Sequence, residues 1–240
     1  MKNWATLNKK WIQDNNLILT DYNNGVWLLE NFLTPEVVKR LQDKLYNLSE
    51  SDWKEAFIKR AMSKYNEKNK KSLNSYEDIV HEIATKQIIN LEEFFMGYED
   101  SYNKTFAWDT YEDEEWIAER LSNLFLSTDK NKEITTDRLR SFKRNMPGTS
   151  LSSHKDSDKD DSLLYSTVLY INEDFEGGEI YFSDLNFSLK PKEGSLCIFD
   201  GFKELTHEVL EIKKGNRYSS TLFIWDKEKR ENSQFRNNFR

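Results

Sequence analysis

Three histidines stand in the 240-residue chain, at 81, 154 and 207, and one has an aspartate two residues on, in His154-Lys155-Asp156. Residues i and i+2 of an extended segment project to the same side, so this imidazole and this carboxylate can converge on one ion. His207 follows after enough chain to cross a double sheet and return. Two imidazoles and one carboxylate on one face of a metal leave three positions open, the arrangement that suits non-haem Fe(II) chemistry. The competing reading is that a His-X-Asp arises by chance, and that a lone histidine is commonly a hydrogen-bonded structural residue. His81, beside Glu82 on a predicted helix, is read as structural or exposed.

Beyond His207 and the turn Lys213 to Asn216 stands Arg217. Strand alternation puts Arg217, Ser219, Thr221 and Phe223 on one face, with Tyr218, Ser220 and Leu222 on the other. Parity alone leaves two readings open. If the first face points into an apolar barrel, the guanidinium needs an anionic partner, and its fork matches a carboxylate bidentately. If it points outward, Arg217 pairs with a surface acid such as Glu211. Cys197, within the apolar run Leu196-Cys197-Ile198-Phe199, reads as a buried inert thiol rather than a nucleophile. Asp158, Asp160 and Asp161 lack ligand spacing; they form either a solvated acidic loop or a rim that attracts a cationic substrate.

These residues need a scaffold, and the chain supplies one in two styles. Up to about residue 127 the pattern is mainly helical; from about 136 it turns into short β-branched and aromatic runs separated by Gly, Asn and Asp. Asp21-Tyr22-Asn23-Asn24-Gly25 between two apolar runs predicts a hairpin over Leu17 to Glu30. Thr34 as cap, Pro35 at the first helical position, and the stripe Val37, Val38, Leu41, Leu45 and Leu48 predict a helix from 35 to 48. Further helices are expected at about 52 to 65, 76 to 97 and 113 to 126, with an exposed loop over Lys64 to Ser75. Strands are expected near 138 to 145, 163 to 172, 179 to 182, 186 to 190, 195 to 200, 206 to 212 and 217 to 225. That spacing predicts an α+β chain whose core is mainly β, a sandwich or barrel-like jelly roll. The expected organisation is 1–135 as hairpin and support helices packed on the core, 136–226 as the core, and 227–240 as a polar tail carrying five basic residues.

Composition bounds the partners. Lys plus Arg number 35 against 42 Asp plus Glu, a formal charge of -7, so no overall positive field recruits nucleic acid or an anionic membrane. One cysteine cannot form an intramolecular disulfide, and the longest apolar stretches, Val168 to Ile171 and Leu222 to Trp225, are far shorter than the roughly 20 residues of a membrane span. The N-terminal MKNWATLNKKW lacks the apolar core of a secretory signal. A cytoplasmic protein with no nucleic-acid or membrane partner is the expectation; composition says nothing of the oligomeric state.

From about Leu139 to Trp225 the chain resembles the Fe(II)- and 2-oxoglutarate-dependent oxygenases of the prolyl 4-hydroxylase type. The resemblance rests on six segments in family order: Met146-Pro147-Gly148 before His154-Lys155-Asp156; Leu169-Tyr170-Ile171-Asn172; Phe175-Glu176-Gly177-Gly178-Glu179; Pro191-Lys192-Glu193-Gly194-Ser195; Leu205-Thr206-His207-Glu208-Val209; and Gly215-Asn216-Arg217-Tyr218-Ser219. Asn31-Phe32-Leu33-Thr34-Pro35 resembles the entry to the family's first support helix. The resemblance implies a double-stranded β-helix (jelly roll) braced by N-terminal helices, with Fe(II) held by His154, Asp156 and His207. It implies 2-oxoglutarate with its distal carboxylate on Arg217, O2 as oxidant and room for ascorbate. Tyr170 and Thr221 stand where family members place supporting hydroxyls, and Ser219 shares the strand face of Arg217 and Thr221. Family members often carry a tyrosine two residues before the Pro-Gly; this chain has Asn145 on that wall.

The implied activity is a dioxygenase that hydroxylates an unactivated C–H bond, favouring a peptidyl proline, with release of succinate and CO2. The same chemistry on a free amino acid or small metabolite is the alternative within the class. From another class comes a non-catalytic jelly-roll module with a structural ion, against which Arg217 argues, since a structural ion has no use for a distant carboxylate clamp.

Overall fold

The structure is a computed structural model that describes residues 4–53, 113–139, 141–156, 162–203 and 205–232, with isolated positions at 62, 65–66, 72, 78, 81 and 106–107. The predicted helices at 52–65 and 76–97, the loop Lys64 to Ser75, and Asp158, Asp160 and Asp161 fall wholly or largely outside these residues.

The strands are β1 (Ala5–Leu7), β2 (Ile18–Asp21), β3 (Val26–Glu30), β4 (Phe106–Ala107), β5 (Phe125–Ser127), β6 (Ile134–Thr136), β7 (Ser141–Asn145), β8 (Leu151–His154), β9 (Leu163–Tyr170), β10 (Glu176–Gly177), β11 (Ile180–Phe182), β12 (Phe187–Leu189), β13 (Leu196–Asp200), β14 (His207–Val209), β15 (Ile212–Lys214) and β16 (Arg217–Asp226). The helices are α1 (Lys9–Asp14), α2 (Pro35–Tyr46), α3 (Glu114–Asn123) and α4 (Lys227–Asn232). A large antiparallel sheet runs β2-β3-β13-β9-β16-β7-β4, with β6 on β16, and a smaller one runs β12-β11-β14-β8. The two share an apolar interior that includes Val26, Leu28, Val168, Tyr170, Ile180, Phe182, Cys197 and Phe199. Two facing sheets with the order of strands crossing between them are the jelly roll that the strand spacing predicts.

The opposite face of the large sheet carries the support layer. Thr34 Oγ1 accepts from the Val37 N–H at 3.4 Å, Pro35 occupies the first turn, and Val37, Val38, Leu41 and Leu45 bury one stripe of α2. The polar edge of that helix is tied down as well, since Gln42 Nε2 donates to the Ile171 carbonyl at 2.8 Å and to Glu193 at 2.7 Å. Arg120 on α3 donates to the Phe32 carbonyl at 2.9 Å while its guanidinium lies over Trp116 and Trp11. The hairpin β2–β3 forms as the turn residues require, with Asn23 and Gly25 at positive φ and Asp21 Oδ1 accepting from the Asn23 N–H. It adds its strands to the large sheet through β3–β13, so segments far apart in sequence share one sheet.

Several elements depart from the sequence expectation. The helix expected over 113 to 126 closes at Leu124, whose N–H bonds to the Arg120 carbonyl; Phe125–Ser127 then pair with Leu7–Ala5, and this partnership overrides the helical periodicity. The single strand expected over 206 to 212 is two, β14 and β15, which belong to different sheets. β1, α1, β4, β6, β8 and β10 have no counterpart in the expectation: each is short, and the strands among them find their partners elsewhere in the chain. The first residues of the polar tail form α4, in which no residue is buried, with Arg230 seated 4.0 Å above the Trp225 ring.

Candidate metal and co-substrate site

The triad is assembled across the small sheet. β14 pairs with β8 so that His207 sits directly opposite His154, and the chain leaving β8 carries Asp156 between them. His154 Nε2 lies 3.5 Å from Asp156 Oδ1, His207 Nε2 lies 3.6 Å from Asp156 Oδ2, and the two imidazole centroids are 4.4 Å apart. One ligand atom from each of the three falls within 4.8 Å of the others. His81 is exposed and takes no part in this cluster.

Backbone carbonyls set the imidazole tautomers. His154 Nδ1 is 2.8 Å from the Ser152 carbonyl and His207 Nδ1 is 3.0 Å from the Leu205 carbonyl. A carbonyl only accepts, so each Nδ1 carries a proton; the charged His154 ring donates its Nε2–H toward Asp156, and a neutral ring presents an Nε2 lone pair instead. That is the protonation state a metal ligand needs, and the second nitrogen is anchored as in established metal sites. His207 is 5% exposed, packed against Phe199 at 4.7 Å and Phe182 at 5.9 Å.

The electrostatics follow this packing. The hydrogen bond with Asp156 raises the His154 pKa above its ordinary 6.5, while burial lowers that of His207. Burial is the largest influence on Asp156 and pushes its pKa up, but His154, His207 and the Ser166 hydroxyl together outweigh it and the carboxyl ends below its ordinary value. Two neutral nitrogen donors and an ionised oxygen donor suit a divalent first-row cation. Because His154 binds its proton more tightly than free imidazole, a metal must displace that proton once the pH lies below the raised His154 pKa. Metal affinity is therefore expected to fall by about tenfold per pH unit once pH drops below the raised His154 pKa. Calorimetric titrations at several pH values check this, and an affinity indifferent to pH between about 5 and 7.5 would speak against histidine ligation.

Arg217 lies inside the fold, not on its surface. It is 2% exposed, and among the described residues no carboxylate pairs with it, Glu211, the outward partner that parity allows, included. Its Nη1 donates to Asn145 Oδ1 at 3.1 Å and to Ser219 Oγ at 2.8 Å, and its Nη2 donates to Tyr170 Oη at 3.1 Å, with the guanidinium 4.8 Å from the Tyr170 ring centroid. Among the described residues its Nε has no hydrogen-bond partner. A buried cation surrounded only by neutral oxygens is costly unless an anion completes it. Of the residues the sequence singles out for the co-substrate, Asn145, Tyr170 and Ser219 meet at Arg217. Thr221 shares the strand face but is not hydrogen-bonded to the guanidinium.

Alternation couples this arginine cluster to the support layer. Asn145 and Arg217 are opposite each other in the β7–β16 pair, and their neighbours Arg144 and Tyr218 point the other way. Arg144 is buried, forms a two-pronged ion pair with Glu50 at 2.6 and 2.9 Å, and lies 4.5 Å from the Trp53 ring, which in turn packs on Tyr218. Arg144 has no place in the sequence expectation; its signal is the period-2 alternation through β7, visible only once the register with Arg217 is known. Cys197 lies on the cavity side of β13 with its thiol pushed up by burial to about 12, an inert thiol as expected.

Gly178 marks how closely the wall is drawn around Arg217. It has φ +69°, and a Cβ there would lie 2.3 Å from Ile212 Cδ1 and 3.2 Å from Arg217 Cδ. Gly178→Ala is expected to cost about 1 to 3 kcal/mol of stability, from backbone strain and the Ile212 clash, checked by denaturant unfolding.

Residues 141–225 match the family model described as the 2OG-Fe(II) oxygenase superfamily, which bears out the resemblance carried by the six segments. The chain is 39% identical over 65 residues to prolyl 3-hydroxylase 2 of Homo sapiens, covering 25% of this chain and 9% of that protein. It is 34% identical over 73 residues to prolyl 3-hydroxylase 3 of Homo sapiens, covering 28% of this chain and 10% of that protein. The chain thus spans about a tenth of the length of the curated relatives it matches. In fold it is similar to the viral collagen prolyl hydroxylase of Paramecium Bursaria Chlorella virus-1, with a TM-score of 0.50 at 18% identity over 85% of this chain and 91% of that one.

Proposed function

We propose that this chain is an Fe(II)- and 2-oxoglutarate-dependent dioxygenase that hydroxylates an unactivated C–H bond, with a proline in a peptide as the favoured substrate. The observation that carries the reading is the pairing, within one jelly roll, of a two-histidine, one-carboxylate cluster with a buried arginine that no carboxylate of the described residues neutralises. A structural ion would account for the first and leave the second without a purpose. The names of the relatives, prolyl 3-hydroxylases, support proline as the substrate.

In this reading His154, Asp156 and His207 hold the metal, and Arg217 receives the distal carboxylate of 2-oxoglutarate. The bound metal and co-substrate supply the oxidative chemistry, in which 2-oxoglutarate and O2 become succinate and CO2 as C–H becomes C–OH. The chain's own residues supply geometry. Ser152 and Leu205 hold the imidazoles in the ligating tautomer, while Asn145, Ser219 and Tyr170 fix the plane of the guanidinium fork. Phe182 and Phe199 pack against His207, and this apolar surrounding strengthens the charged interactions of the triad.

The test is succinate formation by anaerobically iron-loaded protein, exposed to O2 with a panel of peptides and small metabolites. Proline-containing peptides are expected to stimulate succinate release and to gain the mass of one oxygen. Stimulation by a free amino acid alone would move the substrate to the small-molecule class. A metal-loaded protein that neither binds nor consumes 2-oxoglutarate would overturn the dioxygenase reading.

A further inference from the structure

Asp156 must change partners when a metal binds. Its side chain is 15% exposed, with Oδ1 3.5 Å from His154 Nε2 and Oδ2 3.6 Å from His207 Nε2. Once both Nε2 atoms give their lone pairs to a metal, neither can donate to the carboxylate. One oxygen then ligates, and the other, enclosed and still charged, needs a hydrogen from elsewhere. A small cavity beside Asp156 offers it. Among the described residues its lining is Asp156, the apolar Leu163, Phe199 and Leu205, Gly201, Asp200 and Ser166, so at neutral pH Ser166 carries the one side-chain O–H. On β9, Ser166 alternates with Val168 and Tyr170, which face the interior, and it stands opposite Phe199 of β13, the ring that packs 4.7 Å from His207. One strand face thus carries Tyr170 to Arg217 and Ser166 to the triad. Ser166 is 0% exposed, and among the described residues its Oγ has no hydrogen-bond partner. It lies close enough to favour the ionised carboxyl, short of a formed hydrogen bond. A buried hydroxyl without an acceptor and a carboxylate that gives up its donors complete each other.

Resting on the dioxygenase reading and its metal ligands, we propose that Ser166 is a positioning residue that donates to the non-ligating oxygen of Asp156 and so keeps this carboxylate on the metal through a single oxygen. A two-oxygen grip would take a further coordination position, and the three that the triad leaves open are those the co-substrate and O2 require.

The test compares wild type, Ser166→Ala, Ser166→Thr and Asp156→Ala, each titrated anaerobically with Mn(II) alone. Ser166→Ala is expected to weaken Mn(II) binding by about tenfold or more, the usual loss when the partner of a metal ligand is removed. It is also expected to lower by one the number of waters on the bound Mn(II), counted from the broadening of its electron-spin resonance in water enriched in a magnetic oxygen isotope. Ser166→Thr keeps the hydroxyl and should match wild type in both. The unfolding midpoint with chelator present should be unchanged or raised in Ser166→Ala, because the hydroxyl it removes gains its acceptor only when the metal binds. The inference is overturned if Ser166→Ala keeps either the wild-type affinity or the wild-type water count, or if folded Ser166→Thr loses as much as the alanine variant. It is equally overturned if the midpoint with chelator falls along with the affinity, which would mark a structural role. Wild-type Mn(II) affinity in Asp156→Ala overturns the ligand reading itself; loss there with an indifferent Ser166→Ala overturns only the role of Ser166.

Discussion

Replacing His154 or His207 by alanine is expected to abolish turnover and to weaken metal binding by more than about 100-fold. Partners that merely orient a metal ligand are worth about 10 to 100-fold in affinity, and loss of the ligand itself should exceed that. The geometry gives no substitute. The three donors already lie within 4.8 Å of one another, and no other His, Cys, Asp or Glu among the described residues belongs to the cluster. The two variants differ in their side effects. His207 is buried against Phe182 and Phe199, so its removal also opens a small void, whereas His154 is partly exposed and its removal costs less packing. Unfolding midpoints measured with a chelator present separate packing loss from ligand loss. A His154→Ala protein that retains wild-type metal affinity would refute the assignment of the ligands.

Arg217→Met is expected to weaken 2-oxoglutarate binding by about 10 to 150-fold, the equivalent of about 1.5 to 3 kcal/mol for a charged hydrogen bond, while metal affinity changes little. Methionine keeps the bulk that packs near Gly178 and Tyr170 but removes both charge and fork. Arg217→Lys keeps the charge and should fall between the two. It loses more than charge counting suggests, because Asn145, Ser219 and Tyr170 are arranged around a planar group with several donors. The measurement is an anaerobic titration of metal-loaded protein with 2-oxoglutarate; equal affinities for wild type and Arg217→Met would remove the main support for the oxygenase reading.

Local chemistry carried much of this protein into view. The turn Asp21 to Gly25 could only reverse the chain, and Thr34-Pro35 followed by the stripe through Leu45 could only start an amphipathic helix; both elements stand where expected. Phe125 shows where such reasoning ends. Its periodicity continues α3, yet its backbone pairs with Leu7, a partner more than a hundred residues away. The split of 206 to 212 into β14 and β15 has the same cause, since each half answers to a different neighbouring strand.

The site divides along the same line. What the sequence by itself determined is the donor set, the i and i+2 spacing of His154 and Asp156, the order of the six segments and the alternation through Arg217, because each depends only on residue type and on neighbours within a few positions. What only the tertiary structure decided is that His207 meets His154 across β14 and β8, that Arg217 faces inward rather than toward Glu211, and that Asn145 takes its place beside the guanidinium. Register and facing are set by the burial of the whole interior. A shift of one residue would send every inward side chain of β16 to the other face, and the apolar residues packed on both sides of the large sheet leave one register that buries them all.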